Sequence, residues 1–283
     1  MAKDTFLNRK ATLNSKGKLI DLSSPAVMAI LNLTTDSFYG KSRIATVEEA
    51  LQRTDGFLKA GAKFIDLGAY SSRPGAVHIS AEEEIAQLIP VIEALIKEFP
   101  ETILSIDTFR AKVAEISIHA GAHIINDISA GNLDALMFKT VAKLKVPYLM
   151  MHMKGTPQTM QDNPQYEDII SEVIAYFAGK INTLQQLGVK DLMIDPGFGF
   201  AKTVDHNYEL LQKMEALNCF ELPILVGFSR KSMITKVLHN KADEALNGTT
   251  VLNTIALTKG ASILRVHDVK EAVECVTLVN RMS

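Results

Sequence analysis

Residues 102–128 read TILSIDTFRAKVAEISIHAGAHIINDI and predict a strand, a helix and a second strand, in that order. The two ends of the stretch, 102–107 and 123–128, are short and apolar, without strict alternation of polar residues. Such runs are typical of strands that are buried on both faces, as in parallel sheets. Gly121 follows the helical segment 110–120, at a position where glycine commonly ends a helix. The stretch is therefore a candidate unit of a parallel α/β fold.

The same alternation extends along the chain in both directions. Eight apolar runs share this character: 27–33, 63–68, 102–107, 123–128, 146–151, 191–195, 222–227 and 261–266. Helical patterns lie between and after them: 46–60, 80–97, 110–120, 134–145, 167–187, 206–217, 244–259 and 270–281. Eight strands alternating with eight helices predict an α/β fold, a TIM (β/α)8 barrel, with residues 1–283 forming one domain. A doubly wound open sheet is the alternative, because periodicity alone does not establish closure.

The first 25 residues form an extension before the barrel. Within it, residues 11–24 read ATLNSKGKLIDLSS, with apolar pairs on both sides of a Ser-Lys-Gly-Lys turn. This pattern predicts a short hairpin, and we expect it to close the bottom of the barrel.

Composition and charge argue against several classes of partner. The net charge is −2, so we expect neither nucleic acid nor a membrane surface as a partner. No apolar run approaches the ~20 residues that a membrane-spanning helix needs. The N-terminal MAKDTFLNRK lacks the apolar stretch of a signal peptide, and neither Cys219 nor Cys275 belongs to a CxxC motif. We therefore expect a cytoplasmic protein.

Polar and charged side chains follow every predicted strand, where the active site of a TIM barrel forms. A single carboxylate at such a position often only caps the next helix, so each is ambiguous by itself. Core packing does not explain polar groups at all the strand ends together. We therefore expect a site built from Asn32, Asp36, Asp66, Asp107, Asn126, Asp127, His152, Asp195, Ser229, Lys231, Arg265, His267 and Asp268.

Three of these strand ends indicate particular chemistry. Residues 195–200 (DPGFGF) place glycines, which allow positive φ, directly after a carboxylate. Residues 227–232 (GFSRKS) direct a lysine toward the mouth of the barrel. Arg265 and His267 are two residues apart and hence on the same side of the last strand, and such a pair suits a phosphate.

At these positions the chain resembles the dihydropteroate synthases. The matching stretches are ILNLTTDSF (30–38), SSRPGA (71–76), SIDT (105–108), GAHIINDI (121–128), DPGFGF (195–200), SRKS (229–232) and RVHDV (265–269). One of them alone is weak evidence, but together they occur in order over roughly residues 19–280 and are highly specific.

The resemblance implies a TIM-barrel transferase of folate biosynthesis. The reaction would displace pyrophosphate from the CH₂ group of 6-hydroxymethyl-7,8-dihydropterin pyrophosphate. The incoming group would be the amine of para-aminobenzoate, and the product 7,8-dihydropteroate. The resemblance also implies that pyrophosphate leaves first and that a pterin-stabilised cation is then trapped.

Five residues would recognise the pterin, by their positions in the family motifs. Asp195 would accept two neighbouring donors of the pterin edge, and Asn126 would read the next ring nitrogen and amino group. Asp107 would accept from the remaining ring N–H. Lys231 would donate to the pterin carbonyl and N5, while Arg265 would stack on the ring and also contact phosphate.

The resemblance also assigns the leaving group and the cation. Asn32 would be the protein ligand of Mg²⁺. Water molecules and pyrophosphate oxygens would complete the coordination shell of the metal. Arg265 and His267 would hold the pyrophosphate together with Asn32. Asp36 would stabilise the cation, so the expected catalytic residues are Asp36, Lys231, Arg265 and His267.

The para-aminobenzoate pocket would draw on several parts of the chain: Phe38, Ser72, Arg73, Pro74, Phe198, Phe200, Ser229 and Ser232. Loops 34–43 and 69–78 would close over the site and exclude water. Sulfonamides mimic para-aminobenzoate and would compete for this pocket. The family is commonly a homodimer through its last helices, and we expect a homodimer here.

The first loop departs from the family pattern. Thr35 stands where proline is usual, and residues 38–43 (FYGKSR) replace a common Asp-Gly-Gly after Ser-Phe. Ser72 replaces a common threonine but keeps the hydroxyl. These changes affect the closed conformation of the loops rather than the pterin pocket.

Two other functions remain open on the sequence. A methyltetrahydrofolate:corrinoid methyltransferase would share Asp107, Asn126 and Asp195, but it has no reason to keep residues 229–232. A non-catalytic paralogue that binds pterin as a regulatory subunit would be consistent with the altered first loop. The intact Lys231 argues against it.

Overall fold

The barrel sheet contains eight parallel strands in the computed structural model, which describes residues 11–33, 46–71, 78–161 and 163–282. Two earlier strands, β1 (Thr12–Ser15) and β2 (Lys18–Asp21), form a separate antiparallel hairpin. The barrel strands are β3 (Ala26–Asn32), β4 (Phe64–Gly68), β5 (Ile103–Asp107), β6 (Ile124–Asp127), β7 (Tyr148–Met151), β8 (Leu192–Asp195), β9 (Leu225–Val226) and β10 (Ile263–Val266).

The order of the strands is β8-β7-β6-β5-β4-β3-β10-β9, and one short contact nearly closes the sheet. The backbone N of Ile194 on β8 donates to the carbonyl of Pro223 at 3.1 Å, and Ile194 forms a parallel bridge with Ile224, directly before β9. The expected barrel is therefore confirmed, and the open doubly wound sheet is excluded. The assignment of 1–283 to one domain stays a prediction.

Helices cover the outside of the barrel. They are α1 (Val47–Lys59), α2 (Ala81–Glu98), α3 (Ala111–His119), α4 (Met137–Leu144), α5 (Ile169–Gln186), α6 (Val204–Gln212), α7 (Ser232–Leu238), α8 (Leu246–Thr258) and α9 (Val269–Val279). The sequence pattern predicts ranges for eight of them; for α7, which is only seven residues long, it indicates a helix start after the strand end at 227–232 but no range. The predicted helix 206–217 ends early, since a 3-10 helix (Met214–Phe220) follows α6. None of the helices in the described ranges is long and apolar enough to cross a membrane.

The ends of the helices follow the signals in the sequence. Ser80 and Glu83 form a capping box at the start of α2: the backbone N of Glu83 donates to Ser80 Oγ at 3.1 Å, and the backbone N of Ser80 to Glu83 Oε2 at 2.7 Å. Gly121, after α3, has a φ of +123°. An L side chain rarely adopts this conformation, so glycine ends the helix and turns the chain into β6.

The hairpin closes the bottom of the barrel, as the sequence predicts. Leu13 and Ile20 are completely buried and belong to one apolar cluster with residues of all eight barrel strands, among them Met28 and Phe64. Ser15 Oγ donates to the carbonyl of His123 at 2.7 Å. Because apolar side chains fill this end, only the opposite end, where the strands finish, is available for a polar site.

Candidate active site

An open pocket lies at the carboxyl ends of the barrel strands, with about 910 Å³ of empty space including the solvent in its mouth. Its polar wall contains Asn32, Asp107, Asn126, Asp195, Ser229, Lys231, Arg265 and His267, which are all predicted site residues. The apolar part of the pocket wall is formed by Ile30, Ile128 and Met151. The aromatic residues Tyr70 and Phe200 also line the pocket. The fold therefore brings together side chains that the sequence places on β3, β5, β6, β8, β10 and the loop after β9.

The guanidinium of Arg265 links three polar side chains of the barrel interior. Its Nε donates to Asp66 Oδ2 at 2.6 Å, and its Nη2 donates to Asp107 Oδ2 at 2.7 Å. Asp66 Oδ2 also accepts from Asn126 Nδ2 at 3.0 Å. These four residues come from β4, β5, β6 and β10, so one hydrogen-bond network crosses the mouth of the barrel.

Asp107 has an unusual pKa in this network. Burial raises its pKa to about 7, because desolvation outweighs the attraction of Arg265 and the charge of Asp66 adds to the rise. Two carboxylates share one guanidinium, so Arg265 does not neutralise both of them. Asp107 therefore changes charge near neutral pH.

Asp195 and Lys231 form the opposite side of the pocket. Asp195 Oδ1 accepts from the backbone N of Gly197 at 2.7 Å, which leaves Oδ2 without a hydrogen-bond partner in the described chain. Burial raises the pKa of Asp195 and lowers the pKa of Lys231 to about 8. The ammonium of Lys231 donates to the carbonyl of Phe198 and lies 4.7 Å from the centre of the Phe200 ring.

Two glycines give the loop after β8 its shape. Gly197 has a φ of +71°, and a Cβ built there would lie 2.1 Å from the carbonyl oxygen of His152. Gly199 has a φ of +81°, and a Cβ there would lie 2.9 Å from Cδ of Lys231. Any side chain at Gly197 would therefore push the loop away from β7, and one at Gly199 would displace the lysine.

The two phenylalanines of this loop have different places. The ring of Phe198 is completely buried against Phe228, with ring centres 4.5 Å apart, and it does not line the pocket. The expectation that Phe198 contacts para-aminobenzoate is therefore corrected: its carbonyl holds Lys231, and its ring belongs to the core. Phe200, two residues later, does line the pocket.

Lys202 is a buried lysine that the sequence analysis does not identify. Only 3% of it is exposed, and burial lowers its pKa to about 7. Its Nζ lies 3.0 Å from His152 Nδ1 and 3.0 Å from each of the carbonyls of Gly197 and Phe200. Lys202 thereby ties the loop after β8 to the end of β7. No short motif marks such a role, because His152, 50 residues earlier in the chain, becomes a neighbour of Lys202 only in the fold.

His267 and Ser229 meet at the end of β10. The Oγ of Ser229 lies 2.9 Å from His267 Nδ1 and accepts from the backbone N of His267 at 3.3 Å. Burial, with the charge of Arg265 second, lowers the pKa of His267 to about 4. The imidazole is therefore neutral at pH 7 and meets an anion as a hydrogen-bond donor rather than as a cation.

Besides Phe198, five predicted site residues that the structure describes are not part of the pocket wall: Asp66, Asp127, His152, Ser232 and Asp268. Ser232 is exposed in the first turn of α7 and is not part of the pocket wall. Asp36, Phe38, Ser72, Arg73 and Pro74 lie outside the described residues. The contacts of Asp66 are not visible in the sequence, although Asp66 is one of the predicted strand-end carboxylates. A strand-end position alone does not reveal that its neighbours are Arg265 and Asn126.

Asn32 is the residue of the pocket wall that the sequence assigns to a metal ion. The described chain has no group of three His, Cys, Asp or Glu side chains that could hold a metal. Asn32 lines the pocket, and its carboxamide has no hydrogen-bond partner among the described residues. One amide oxygen suits Mg²⁺, which keeps several waters and takes substrate phosphate oxygens as ligands. The donor set therefore fits a magnesium ion that arrives with a phosphorylated substrate.

Comparison with protein families relates this pocket to known enzymes. Residues 28–267 match the model of the family described as "Pterin binding enzyme". A dihydropteroate synthase of Escherichia coli (strain K12) is 43% identical over 273 residues, with 94% of this chain and 95% of the relative covered. A dihydropteroate synthase of Haemophilus influenzae is 40% identical, covering 91% of this chain and 94% of the relative.

Solved structures agree with the sequence matches. The Yersinia pestis dihydropteroate synthase, solved with a sulfonamide drug complex, superposes with a TM-score of 0.91 at 41% identity, covering 96% of this chain and 98% of that one. The Xanthomonas albilineans dihydropteroate synthase in complex with 7,8-dihydropteroate gives a TM-score of 0.84 at 32% identity, again covering 96% and 98% of the two chains.

Proposed function

The chain belongs to the dihydropteroate synthase family of pterin-binding enzymes, and from this premise we propose how its residues carry out the reaction. The protein is a transferase of folate biosynthesis that joins a pterin pyrophosphate to para-aminobenzoate. The C–O bond from the pterin CH₂ to pyrophosphate breaks, and a C–N bond to the aniline nitrogen forms. Pyrophosphate takes the electron pair of the broken bond. The aniline nitrogen is cationic once the C–N bond has formed, and it then loses a proton to water.

Pterin recognition rests on hydrogen-bond acceptors that converge in one pocket. Asp195 Oδ2 and Asn126 Oδ1 have no hydrogen-bond partner in the described chain, and both side chains line the pocket with Asp107. The donors of a pterin edge, an amino group and ring N–H groups, would satisfy these buried acceptors. Lys231 would donate to the pterin carbonyl and N5. This convergence is the observation that carries the proposal.

The pyrophosphate would bind next to the guanidinium of Arg265. Nε and Nη2 of Arg265 are engaged by Asp66 and Asp107, whereas Nη1 has no acceptor in the described chain. Nη1 and the neutral imidazole of His267 would donate to the leaving group and stabilise its developing charge. We propose that pyrophosphate departs first and that Asp36 stabilises the resulting pterin cation.

We propose Mg²⁺ as the cofactor, with Asn32 as its protein ligand. When bound, Mg²⁺ would neutralise part of the charge of the pyrophosphate. The carboxamide of Asn32 lies on the pocket wall with Arg265 and His267, and this placement supports the assignment.

Para-aminobenzoate would bind on the side of the pocket formed by Phe200 and Ser229. We propose that Phe38, Ser72, Arg73, Pro74 and Ser232 complete its site. The attacking aniline is neutral at pH 7, so it needs no general base. Sulfonamides, which share its shape, should compete for the same site, and a Yersinia pestis relative has been solved with such a drug.

Assembly and location are further proposals. We propose a homodimer through the last two helices, α8 and α9. The support is that Val251, Ile255 and Leu278 are 48, 37 and 70% exposed on these helices, which is unusual for large apolar side chains. A cytoplasmic location is consistent with the unpaired cysteines Cys219 and Cys275.

Pyrophosphate release tests the proposed reaction. The protein is mixed with the pterin pyrophosphate and Mg²⁺, with and without para-aminobenzoate. We expect release that depends on para-aminobenzoate and yields dihydropteroate. Pterin binding without release would instead identify a non-catalytic paralogue, and methyl transfer from methyltetrahydrofolate would identify the corrinoid class.

A further inference from the structure

We infer that Asp66 is a positioning residue that sets the orientation of both Arg265 and Asn126 for the pterin pyrophosphate. The inference rests on the proposed function, since it assigns these two side chains to that substrate. Asp66 lies on β4, between Ile30 of β3 and Ser105 of β5 in the sheet register, and its side chain points into the barrel interior.

Asp66 does not contact the substrate itself. Its side chain is completely buried, and it is not part of the pocket wall. A single carboxylate oxygen, Oδ2, accepts both from Arg265 Nε at 2.6 Å and from Asn126 Nδ2 at 3.0 Å. One atom thus fixes two pocket residues that come from β6 and β10.

The contact with Asn126 decides which end of its amide faces the substrate. Since Nδ2 donates to Asp66, the amide oxygen is turned toward the pocket and is presented as an acceptor. Without Asp66 the amide could rotate by half a turn and present Nδ2 to the donors of the pterin edge. Such a rotated amide would repel the substrate instead of binding it.

The contact with Arg265 fixes the plane of the guanidinium. Asp66 takes Nε and Asp107 takes Nη2, so two anchors hold the group and Nη1 stays available for an anion. With only the Asp107 anchor the guanidinium could rotate about that one hydrogen bond. Asp66 therefore prepares the donor that meets the leaving group before the substrate arrives.

Stability alone does not explain a carboxylate at this position. The second oxygen of Asp66, Oδ1, is buried and has no hydrogen-bond partner in the described part of the chain. A half-satisfied buried carboxylate is a poor stabilising element, because its desolvation is only partly compensated. A function in holding Arg265 and Asn126 accounts for its presence.

Two substitutions separate the roles of shape and acceptor. Asp66→Leu keeps the approximate size and removes both acceptors, whereas Asp66→Asn keeps one oxygen that can accept from Arg265 and Asn126. We expect Asp66→Leu to weaken binding of 6-hydroxymethylpterin and of inorganic pyrophosphate by about ten- to a hundredfold each. Asp66→Asn should restore most of both affinities. The KM for para-aminobenzoate should stay within about twofold, since no contact of Asp66 reaches that side of the pocket.

Asp127→Asn is the matched control. Asp127 belongs to the site that the sequence predicts, but the structure places it outside the pocket wall: it is completely buried at a strand end and accepts from Ser129, Gly131 and Tyr148. The Asp127→Asn substitution should lower the melting temperature, but the folded variant should bind 6-hydroxymethylpterin and inorganic pyrophosphate as tightly as the unmodified protein. Calorimetric titration of each folded variant supplies the affinities.

The outcomes are distinguishable. If the unmodified protein binds neither probe, the proposed function fails. If it binds both and folded Asp66→Leu binds them equally well, or if Asp66→Asn restores nothing, the positioning role is overturned. Should Asp66→Leu fail to fold, folded Asp66→Ala replaces it: a positioning role predicts a loss of both affinities in Asp66→Ala and none in Asp127→Asn, and equal affinities in these two variants would overturn it.

Discussion

Arg265 and Asp107 form an ion pair across the barrel interior, with 2.7 Å between Nη2 and Oδ2. The pair joins the residue proposed for the pyrophosphate to a residue proposed for the pterin ring. Burial raises the pKa of Asp107 to about 7, so the charge of this carboxyl group changes near neutral pH. The residues proposed to bind the pterin ring and the pyrophosphate therefore interact electrostatically with each other.

The first prediction concerns the pH dependence of pterin binding. The pKa of Asp107 is raised to about 7, so its carboxylate form is present above this pH and is lost below it. We expect the affinity for 6-hydroxymethylpterin to fall by up to about tenfold per pH unit as the pH decreases below that point. Calorimetric titrations from mildly acidic to mildly alkaline pH measure this decrease in affinity. Asp107→Asn should bind the pterin weakly at every pH, without this decrease. An identical decrease of affinity in Asp107→Asn would exclude Asp107 as the group that titrates.

Lys231 should cause the affinity for the pterin to decrease at alkaline pH. Burial lowers its pKa to about 8, so the ammonium is present below this pH and is lost above it. Lys231→Met should weaken pterin binding by at least about tenfold, the value of a lost hydrogen bond from a charged group. The control is Lys236→Met, at an exposed position of α7. Near-normal turnover of Lys231→Met would refute the pterin assignment of this lysine.

Gly197 and Gly188 allow a matched test of the loop after β8. Both have positive φ, +71° and +83°, but a Cβ at Gly188 meets nothing within 4 Å, whereas one at Gly197 meets a backbone carbonyl at 2.1 Å. Gly188→Ala should lower the free energy of unfolding by about 1–2 kcal/mol, the cost of a left-handed conformation. Gly197→Ala should lower it further and impair activity. Urea unfolding compares the two, and equal losses would contradict the steric argument.

Lys202 should make stability depend on pH above neutrality. Its pKa is lowered from 10.5 to about 7 in the folded protein, so between these values the unfolded chain binds a proton that the folded one does not. Stability therefore rises with pH across this window, and Lys202→Met lacks this rise. From pH 7 upward, the melting temperature of the unmodified protein should therefore increase relative to that of Lys202→Met. Lys143→Met, at an exposed ion pair, is the control for the loss of a lysine at the surface.

Phe198 and Phe200 should respond differently to truncation. Phe198→Ala removes a completely buried ring and should destabilise the protein by about 3–5 kcal/mol. Phe200→Ala removes part of the pocket wall, so it should raise the KM for para-aminobenzoate and weaken sulfonamide inhibition with a smaller loss of stability. Steady-state kinetics and thermal unfolding of both variants supply the comparison. A raised KM in Phe198→Ala alone would reverse the assignment of the two rings.

The strands, most of the helices and much of the pocket can be predicted from the amino-acid sequence alone. Runs such as 102–107 are buried on both faces, and this burial requires apolar residues that are visible in the sequence. Parallel strands of a barrel end at one rim, so the polar residues that follow them, such as Asn126 and Asp195, had to share a site. The capping signals at Ser80 and Glu83 act within one turn and need no distant partner.

Tertiary structure decided the contacts between strands that are distant along the chain. Asp66 and Arg265 are 199 residues apart, and no local pattern indicates that one carboxylate oxygen of Asp66 holds Arg265. Lys202 likewise reaches His152 only because the loop after β8 folds back on β7. Phe198 and Phe200 are equally apolar, and only packing decided which ring entered the core. Local periodicity reports burial and backbone conformation, whereas a hydrogen bond across the barrel depends on closure, which brings these distant side chains within 3 Å.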